Sequence, residues 1–250
     1  GGPVVSPRCI ALVGIGKIAR DQHIPALAAD SSWKLAATVS RRAAVDGIES
    51  FAEIGAMLTA RPDIATVSIA VPPGPRFPIA AAALAAGRNV MLEKPPGATL
   101  AECHTLAGMA AQAGVSLFAS WHSREAHGVA AARAELAERE ITRLAITWKE
   151  DVRRWHPGQD WVFEPGGMGV FDPGINALSI LTAILPDPVH LASAELDVPA
   201  NRQTPIAARL VFAAPGGAEM TADFDWRQEG PQTWEIAIET DRRALRLTDG

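Results

Sequence analysis

Between Cys9 and Ser120, apolar runs of strand length alternate with alanine-rich stretches that have helical spacing. The apolar runs contain few polar residues, which is typical of parallel strands buried on both faces of a sheet. The pattern predicts strands over residues 9–13, 35–39, 64–71, 89–92 and 115–120, and helices over residues 15–29, 50–60, 79–86 and 99–113. We therefore expect an α/β fold, a Rossmann-type doubly wound parallel sheet, over residues 1–121.

Helix-capping motifs support two of these helices. Ser50 with Glu53 and Thr99 with Glu102 both have the spacing of a capping box, which places the start of a helix at each pair. Gly87 stands where a glycine follows the last turn of a helix. The boundaries of the second, third and fourth helices are predicted mainly from these signals.

The pattern changes after about residue 120. A helix over 128–139 and a strand over 144–148 precede a loop rich in Pro, Gly and Trp over 153–174, and a short helix over 175–185 follows. Four runs with a period of two, over 189–198, 206–213, 219–226 and 234–240, predict antiparallel strands. We expect residues 122–250 to form an α+β domain with a large open, mainly antiparallel sheet. Its uncovered face predicts a homo-oligomer, a dimer or tetramer.

Composition narrows the class of protein. Of 250 residues, 48% are hydrophobic and 20% charged, with a net charge of −5, which indicates a globular protein and argues against nucleic acid or an anionic membrane as partner. Two cysteines suit a reducing compartment, and no long apolar run predicts a membrane span or secretory leader, so we expect a cytoplasmic protein. The absence of tyrosine excludes every mechanism that needs a tyrosine acid or base.

The turn after the first strand predicts a dinucleotide site. Gly14, Gly16 and Ala19 form a Gly-x-Gly-x-x-Ala motif between a strand and a helix. Gly14 permits the tight turn, Gly16 lets backbone amides approach a pyrophosphate, and Ala19 permits close packing of helix on sheet. A tight turn without a ligand is the alternative.

The end of the second strand bears on which dinucleotide binds. An NAD site usually has a carboxylate there for the ribose 2′-hydroxyl, whereas this chain has Ser40, Arg41 and Arg42. A hydroxyl and guanidinium groups suit a 2′-phosphate, so we expect NADP to be preferred, with NAD as a second cofactor. Ordinary solvated loop charges are the alternative.

The fourth strand ends in Glu93-Lys94-Pro95-Pro96. We expect this strand to lie beside the first, which would bring Lys94 to the crevice where a nicotinamide binds. Lys94 there could polarise or orient a reacting oxygen; a surface lysine is the alternative. The predicted cofactor-binding residues are Gly14, Gly16, Lys17, Ile18, Ser40, Arg41, Ala70, Val71, Pro72, Glu93 and Lys94.

These motifs together resemble the glucose-fructose oxidoreductase/inositol dehydrogenase/MocA family over essentially the whole chain. The resemblance rests on the glycine turn, on Val71-Pro72 and on Glu93-Lys94-Pro95. Segments of the second half, 121–125, 148–151, 154–158 and 171–176, resemble bacterial D-galactose and L-arabinose 1-dehydrogenases. The resemblance implies oxidation of an aldopyranose at C1 to the lactone, with NADP or NAD as hydride acceptor.

The chain departs from the family in two respects. Many members carry a histidine four residues after the aspartate that corresponds to Asp172, whereas this chain has Asn176. Members also continue for some tens of residues beyond the point that corresponds to Gly250, which implies that the second domain is incomplete at its C-terminus.

Because the histidine is replaced by Asn176, we expect Asp172 to act as the general base. We assign Lys94, Asp172 and Asn176 as catalytic: Asp172 as base, Lys94 as the cation that favours ionisation of the hydroxyl, and Asn176 as a hydrogen-bonding orienter. The roles of Lys94 and Asp172 could be exchanged. Asp172 could instead be a helix N-cap, with Pro173 as the first helical residue.

Sugar recognition requires hydroxyl partners and an aromatic surface. We predict a substrate site from His122, Glu150, Trp155, His156, Asp172 and Asn176, with Trp161 nearby. We expect Trp148, Trp226 and Trp234 to be mainly structural, His23 to be a surface or cap residue, and no metal site. The alternatives are a non-catalytic sugar or dinucleotide sensor on the same fold, or a dehydrogenase of a cyclitol, a dihydrodiol or an imine.

Overall fold

The computed structural model describes residues 6–249. The chain forms two compact units, one ending at Ser120 and one beginning at Trp121. The first five residues and Gly250, which the predicted domain ranges include, lie outside the described part. Within the described part, no helix is long and apolar enough to cross a membrane.

The first unit is built on a six-stranded parallel sheet. Its strands, in chain order, are β1 (Arg8–Val13), β2 (Trp33–Val39), β3 (Glu49–Phe51), β4 (Thr66–Ile69), β5 (Asn89–Glu93) and β6 (Leu117–Ser120). Their spatial order is β3-β2-β1-β4-β5-β6, the order of a dinucleotide-binding Rossmann sheet. The last residues of β1, β2 and β4 are buried, as expected for strands covered on both faces.

Four α-helices connect these strands. They are α1 (Ile24–Ala29), which continues a π-helical turn over Ala19–His23, α2 (Ile54–Ala60), α3 (Pro73–Ala85) and α4 (Leu100–Ala113). The predicted helix start at Thr99 is confirmed, because Thr99 is the N-cap of α4 and accepts a hydrogen bond from the Glu102 N–H, while Glu102 accepts one from the N–H of Ala98, the residue before the cap. Gly87 has a φ of +73° directly after the end of α3, as predicted.

Three local predictions for the first unit are wrong. Ser50 does not start a helix but lies in β3, because backbone pairing with β2 is available there, and α2 begins only after Glu53. Helix α3 begins at Pro73 rather than at residue 79, since proline is compatible with a first helical turn. The strand that ends at Glu93 does not lie beside β1: β4 lies between them, so the order reverses between β1 and β4.

The second unit is built on a mixed six-stranded sheet. Its strands are β7 (Ile141–Lys149), β8 (His190–Asp197), β9 (Ala207–Ala213), β10 (Glu219–Asp225), β11 (Thr233–Thr240) and β12 (Ala244–Thr248). The order is β12-β11-β7-β10-β9-β8, and every neighbouring pair is antiparallel except β7 with β10. The predicted fold class is confirmed, although β12 was not predicted.

Helices α5 (Val129–Leu136), α6 (Val152–Trp155) and α7 (Phe171–Ile184) complete the second unit. Buried residues of α5 and α7 form one core with the inward residues of the sheet, such as Leu144, Ile146 and Phe224. The predicted loop over 153–174 contains α6, a 3₁₀ segment over Asp160–Phe163 and the start of α7. Helix α7 therefore begins four residues earlier than the pattern predicted.

The outward residues of this sheet are more polar than the alternating pattern suggests. Lys149 pairs with Asp223 across β7 and β10, and Arg209 pairs with Glu195 and Asp197 across β8 and β9. Of the exposed apolar residues near its β8–β9 end, Val211 lies on this outward face, whereas Leu191 and Leu196 are paired with Phe212 and Ala208 of the core side. A self-association surface on this face would have to accommodate both kinds of residue.

Candidate functional site

The glycine turn of the first unit follows β1 at the point where the strand order reverses. The Gly14 N–H donates to the carbonyl of Val39 at the end of β2, and the Ala70 N–H, just past β4, donates to the carbonyl of Val13. Ala19 is fully buried in a cluster with Leu12 and Ile15. The turn thus lies at the carboxyl ends of three strands, where open α/β sheets bind their ligands.

The backbone of this turn fits a dinucleotide pyrophosphate. Gly14 has a φ of +87°, and a Cβ there would lie 2.8 Å from Cγ1 of Val71, so only glycine is accommodated. A Cβ at Gly16 would meet no atom within 4 Å, so a side chain there would occupy open space beside the turn. Glycine keeps that space free for phosphate oxygens, and the helical segment that follows presents N–H groups to them.

The loop after β2 is organised by Ser40. Its Oγ accepts hydrogen bonds from the N–H groups of Arg42 and Ala43, at 3.3 and 3.2 Å. The exposed guanidinium of Arg41 contacts Oε1 of Glu53 through Nε at 2.7 Å and Nη2 at 2.6 Å. A ribose 2′-phosphate would present the same kind of anionic acceptor to Arg41 as Glu53 does.

The remaining predicted cofactor residues of the first unit follow the glycine turn, β4 and β5. Lys17 pairs with Asp21, and Ile18 is exposed. Ala70 and Val71 follow β4, and Pro72 is the N-cap of α3. Glu93 closes β5, and its Oε2 accepts a hydrogen bond from the Lys94 N–H at 3.2 Å.

His23 corrects another sequence prediction. It is 8% exposed rather than at the surface, and its Nε2 lies 2.7 Å from Oε1 of Glu93. Its Nδ1 lies 3.3 Å from Oγ of Ser68, inside β4. The histidine is buried because it satisfies the Glu93 carboxylate that follows the buried part of β5.

Glu150 is the central buried acid of the second unit. It follows β7 directly and is 6% exposed. The indole N–H of Trp226 donates to its Oε1 at 3.2 Å, and the indole N–H of Trp234 donates to its Oε2 at 2.9 Å. Burial raises the pKa of Glu150, and the hydrogen bonds from the two indoles oppose that rise.

Asp172 and His156 contact each other in the same region. Nε2 of His156 lies 2.9 Å from Oδ2 of Asp172, and both side chains are largely buried. Nδ1 of His156 lies 2.8 Å from Oε1 of Gln159. Because an amide oxygen only accepts, this contact requires a proton on Nδ1, and Nε2 is then the atom that shares a proton with Asp172. His156 and Asp172 both act electrostatically on Glu150.

The N-cap interpretation of Asp172 is wrong. Helix α7 begins after its N-cap Val170, so Asp172 lies inside the first turn and is not the N-cap residue. The Asp172 carboxylate contacts His156. Asn176 lies one turn further along α7, and His122 is an exposed residue of the 3₁₀ segment His122–Glu125.

Aromatic rings surround this group of acids and imidazole. Trp155 and Trp234 have ring centroids 5.9 Å apart, and the Trp155 indole N–H donates to Oε1 of Gln232. The His156 ring packs edge-on against Trp226 at 5.2 Å and Trp161 at 6.1 Å. Apolar faces next to hydrogen-bonding groups are the surface that a sugar ring requires.

Of the predicted substrate residues, the structure brings Glu150, Trp155, His156 and Asp172 into one group, which we call the acid–indole cluster. Sequence reasoning missed Gln159, Gln232 and the part played by Trp226 and Trp234. The only available signal was that Trp226 ends one alternating run and Trp234 begins the next. Their hydrogen bonds to Glu150 depend on the pairing of β7 with β10 and β11, which sequence does not reveal.

Comparison with known proteins shows where this chain belongs. Residues 8–120 match the family described as "Oxidoreductase family, NAD-binding Rossmann fold". The chain is 42% identical to galactose 1-dehydrogenase of Pseudomonas fluorescens, with 98% of this chain and 80% of that protein aligned. A solved structure of D-galactose-1-dehydrogenase from Rhizobium etli is 51% identical and superposes with a TM-score of 0.94 over 99% of this chain and 80% of the other.

A more distant structure has the same fold. GenD2 from gentamicin A biosynthesis, solved in complex with NAD, is 23% identical and has a TM-score of 0.87 over 99% of this chain and 74% of the other. The glycine turn, the strand order and these similarities agree on a nicotinamide dinucleotide as the cofactor class. The chain belongs to the glucose-fructose oxidoreductase/inositol dehydrogenase/MocA family of oxidoreductases.

Proposed function

We propose that this protein oxidises an aldopyranose, D-galactose or L-arabinose, at C1 to the lactone, with NADP preferred over NAD. The observation that carries the proposal is the Asp172–His156 pair beside the buried Glu150 and its indoles. The names of the two relatives that are more than 40% identical support galactose as a substrate.

The reaction removes a proton from the C1 hydroxyl and a hydride from C1. When bound, the oxidised nicotinamide supplies the hydride acceptor. Asp172 takes the hydroxyl proton, while the Nε2–H of His156, 2.9 Å from Oδ2, donates a hydrogen bond to the carboxylate and holds it in place. The hydrogen bond from Nδ1 to Gln159 fixes the orientation of the imidazole that directs Nε2 at Asp172.

Lys94 and Asn176 act on the hydroxyl itself in this proposal. The ammonium group of Lys94 favours the ionised hydroxyl through its charge, and the Asn176 amide orients the oxygen by hydrogen bonding. His122 contributes a hydrogen bond to the sugar.

Sugar binding uses the acid–indole cluster. The apolar face of the pyranose stacks on Trp155, which is held by Gln232 and by its packing on Trp234. Glu150 accepts hydrogen bonds from sugar hydroxyls with the lone pairs that the two indoles leave unused. This accounts for a carboxylate kept in so buried a place.

The cofactor preference follows from the loop after β2. Ser40 and Arg41 receive the 2′-phosphate of NADP, with Arg41 exchanging Glu53 for the phosphate. NAD lacks that phosphate and therefore leaves the Arg41–Glu53 pair intact.

The test is an activity screen that follows the absorbance of the reduced nicotinamide. Wells contain NADP⁺ or NAD⁺ with D-galactose, L-arabinose, D-glucose, D-xylose or myo-inositol. We expect turnover with galactose or arabinose that is faster with NADP⁺ than with NAD⁺. No turnover with any sugar, while NADP⁺ still quenches tryptophan fluorescence, would overturn the proposal in favour of a sensor; turnover of inositol alone would change the substrate class.

A further inference from the structure

Arg76 is a buried cation that the proposed mechanism does not use. It lies in the first turn of α3 and is only 3% exposed. A buried guanidinium is costly unless its N–H groups are satisfied by acceptors in fixed positions. The acceptors that satisfy Arg76 therefore indicate what the residue does.

Arg76 donates hydrogen bonds to backbone carbonyls of two loops. Nε lies 3.2 Å from the carbonyl oxygen of Val71, to which Nη2 also donates. Nη1 lies 2.7 Å from the carbonyl oxygen of Glu93 and also donates to the carbonyl of Pro95. One planar guanidinium thus joins the loop after β4 to the loop after β5.

The contacts to Glu93 and Pro95 fall on the two residues that flank Lys94. The same loop is held a second time through the Glu93 side chain, whose Oε1 contacts His23 and whose Oε2 accepts the Lys94 N–H. The backbone of Lys94 is therefore fixed on both sides by buried groups that belong to α3 and to the turn before α1.

We infer that Arg76 is a positioning residue, which holds the Glu93–Pro95 backbone so that the Lys94 amine has one fixed location. This inference rests on the proposed function, in which Lys94 acts on the reacting hydroxyl. A lysine has four rotatable side-chain bonds, so any freedom in its backbone adds to the spread of its amine. Restricting the backbone reduces that spread, and small misplacements of reacting groups are expensive in rate.

The experiment compares Arg76→Gln and Arg76→Lys with the wild type, and uses Arg88→Gln as a matched control. Arg88 lies just before β5, at the opposite end of that strand from Lys94, and donates a hydrogen bond to the carbonyl of Leu58 in α2. We measure kcat and KM for galactose, the Kd of NADP⁺ by tryptophan fluorescence, and the melting temperature of each variant.

We expect Arg76→Gln to lower kcat by ~10-fold to 100-fold while the Kd of NADP⁺ changes by less than about threefold. Arg76→Lys keeps the charge and one donor nitrogen, so its kcat should lie between those of Arg76→Gln and the wild type. Arg88→Gln should retain the wild-type kcat. A kcat unchanged in Arg76→Gln would overturn the inference, as would an equal loss in Arg88→Gln. If Arg76→Gln does not fold, an unchanged kcat in Arg76→Lys overturns it.

A second measurement does not depend on turnover. The chain has four lysines, Lys17, Lys34, Lys94 and Lys149, so the acetylation rate of Lys94 by acetic anhydride can be measured by mass spectrometry against that of exposed Lys34. We expect the Lys94/Lys34 ratio to change in Arg76→Gln and to stay at the wild-type value in Arg88→Gln. An unchanged ratio in Arg76→Gln overturns the inference. If wild-type protein oxidises no sugar, the proposed function fails while this ratio still tests the role of Arg76.

Discussion

Nε2 of His156 lies 2.9 Å from Oδ2 of Asp172, although the two residues come from different helices, α6's C-terminal cap and the first turn of α7. The contact joins the proposed base to an imidazole nitrogen, which can donate a hydrogen bond to the carboxylate. Asp172 therefore contacts His156 and is not the helix N-cap that the sequence pattern gave as the alternative. The first prediction follows from this pair.

Asp172→Ala should lower kcat by ~100-fold or more, because it removes the proton acceptor. His156→Asn should lower kcat less, by ~10-fold, because Asp172 then loses the imidazole that contacts its carboxylate. Steady-state kinetics with NADP⁺ and galactose measure both effects. Asp160→Asn is the matched control, since Asp160 is an exposed carboxylate paired only with Arg202 among the described contacts. A wild-type kcat in His156→Asn would show that the imidazole does not assist the proposed base.

Lys94→Ala should lower kcat by ~100-fold while the Kd of NADP⁺ changes little, since its proposed role concerns the hydroxyl and not the dinucleotide phosphates. Fluorescence titration with NADP⁺ and steady-state kinetics separate the two quantities. Lys34→Ala, at an exposed position of β2, should behave as the wild type. Wild-type turnover by Lys94→Ala would exclude this lysine from the mechanism.

Arg41→Ala should raise the KM for NADP⁺ by ~10-fold and leave the KM for NAD⁺ unchanged, because only NADP carries the 2′-phosphate. Glu53→Gln should lower the KM for NADP⁺, because Arg41 then loses the carboxylate that competes with the phosphate. Steady-state kinetics with both cofactors provide the comparison. Equal effects on NADP⁺ and NAD⁺ would show that Arg41 does not recognise the phosphate.

Glu150→Gln should alter how stability depends on pH. Burial raises the pKa of Glu150, so the folded protein holds this proton more tightly than the unfolded chain does. As the pH rises above the usual value of 4.5, ionising the buried acid costs stability in the wild type but not in the variant. The melting temperature of Glu150→Gln minus that of the wild type should therefore increase as the pH rises above 4.5. A difference that does not vary with pH would contradict the raised pKa.

We propose that the outward face of the second sheet forms a homo-oligomer interface. Ala145 and Ala237 are paired across β7 and β11 near the middle of that face, so Ala145→Arg should block close approach of a second copy. Light scattering after size exclusion should give a dimer or tetramer for the wild type and a smaller species for Ala145→Arg. A wild-type protein that stays monomeric at all concentrations would refute the interface.

The amino-acid sequence by itself determined the fold class, the glycine turn and the class of cofactor. These features are local: they depend on apolar runs of strand length and on the residues within one turn, such as Gly14 and Gly16. The capping box at Thr99 and the glycine at the end of α3 were also predictable, because their hydrogen bonds join residues close in sequence.

Tertiary structure alone decided which side chains meet. Ser50 has the same capping-box spacing as Thr99, yet it lies in a strand because β2 offers it backbone hydrogen bonds. Asp172 pairs with His156, Glu150 accepts hydrogen bonds from the indole N–H groups of Trp226 and Trp234, and Arg76 joins the loops after β4 and β5. Each of these contacts depends on which strands pair or on where a helix begins. Strand pairing and helix starts are set by burial and backbone hydrogen bonding over the whole unit, and not by the type of the residues that make the contact.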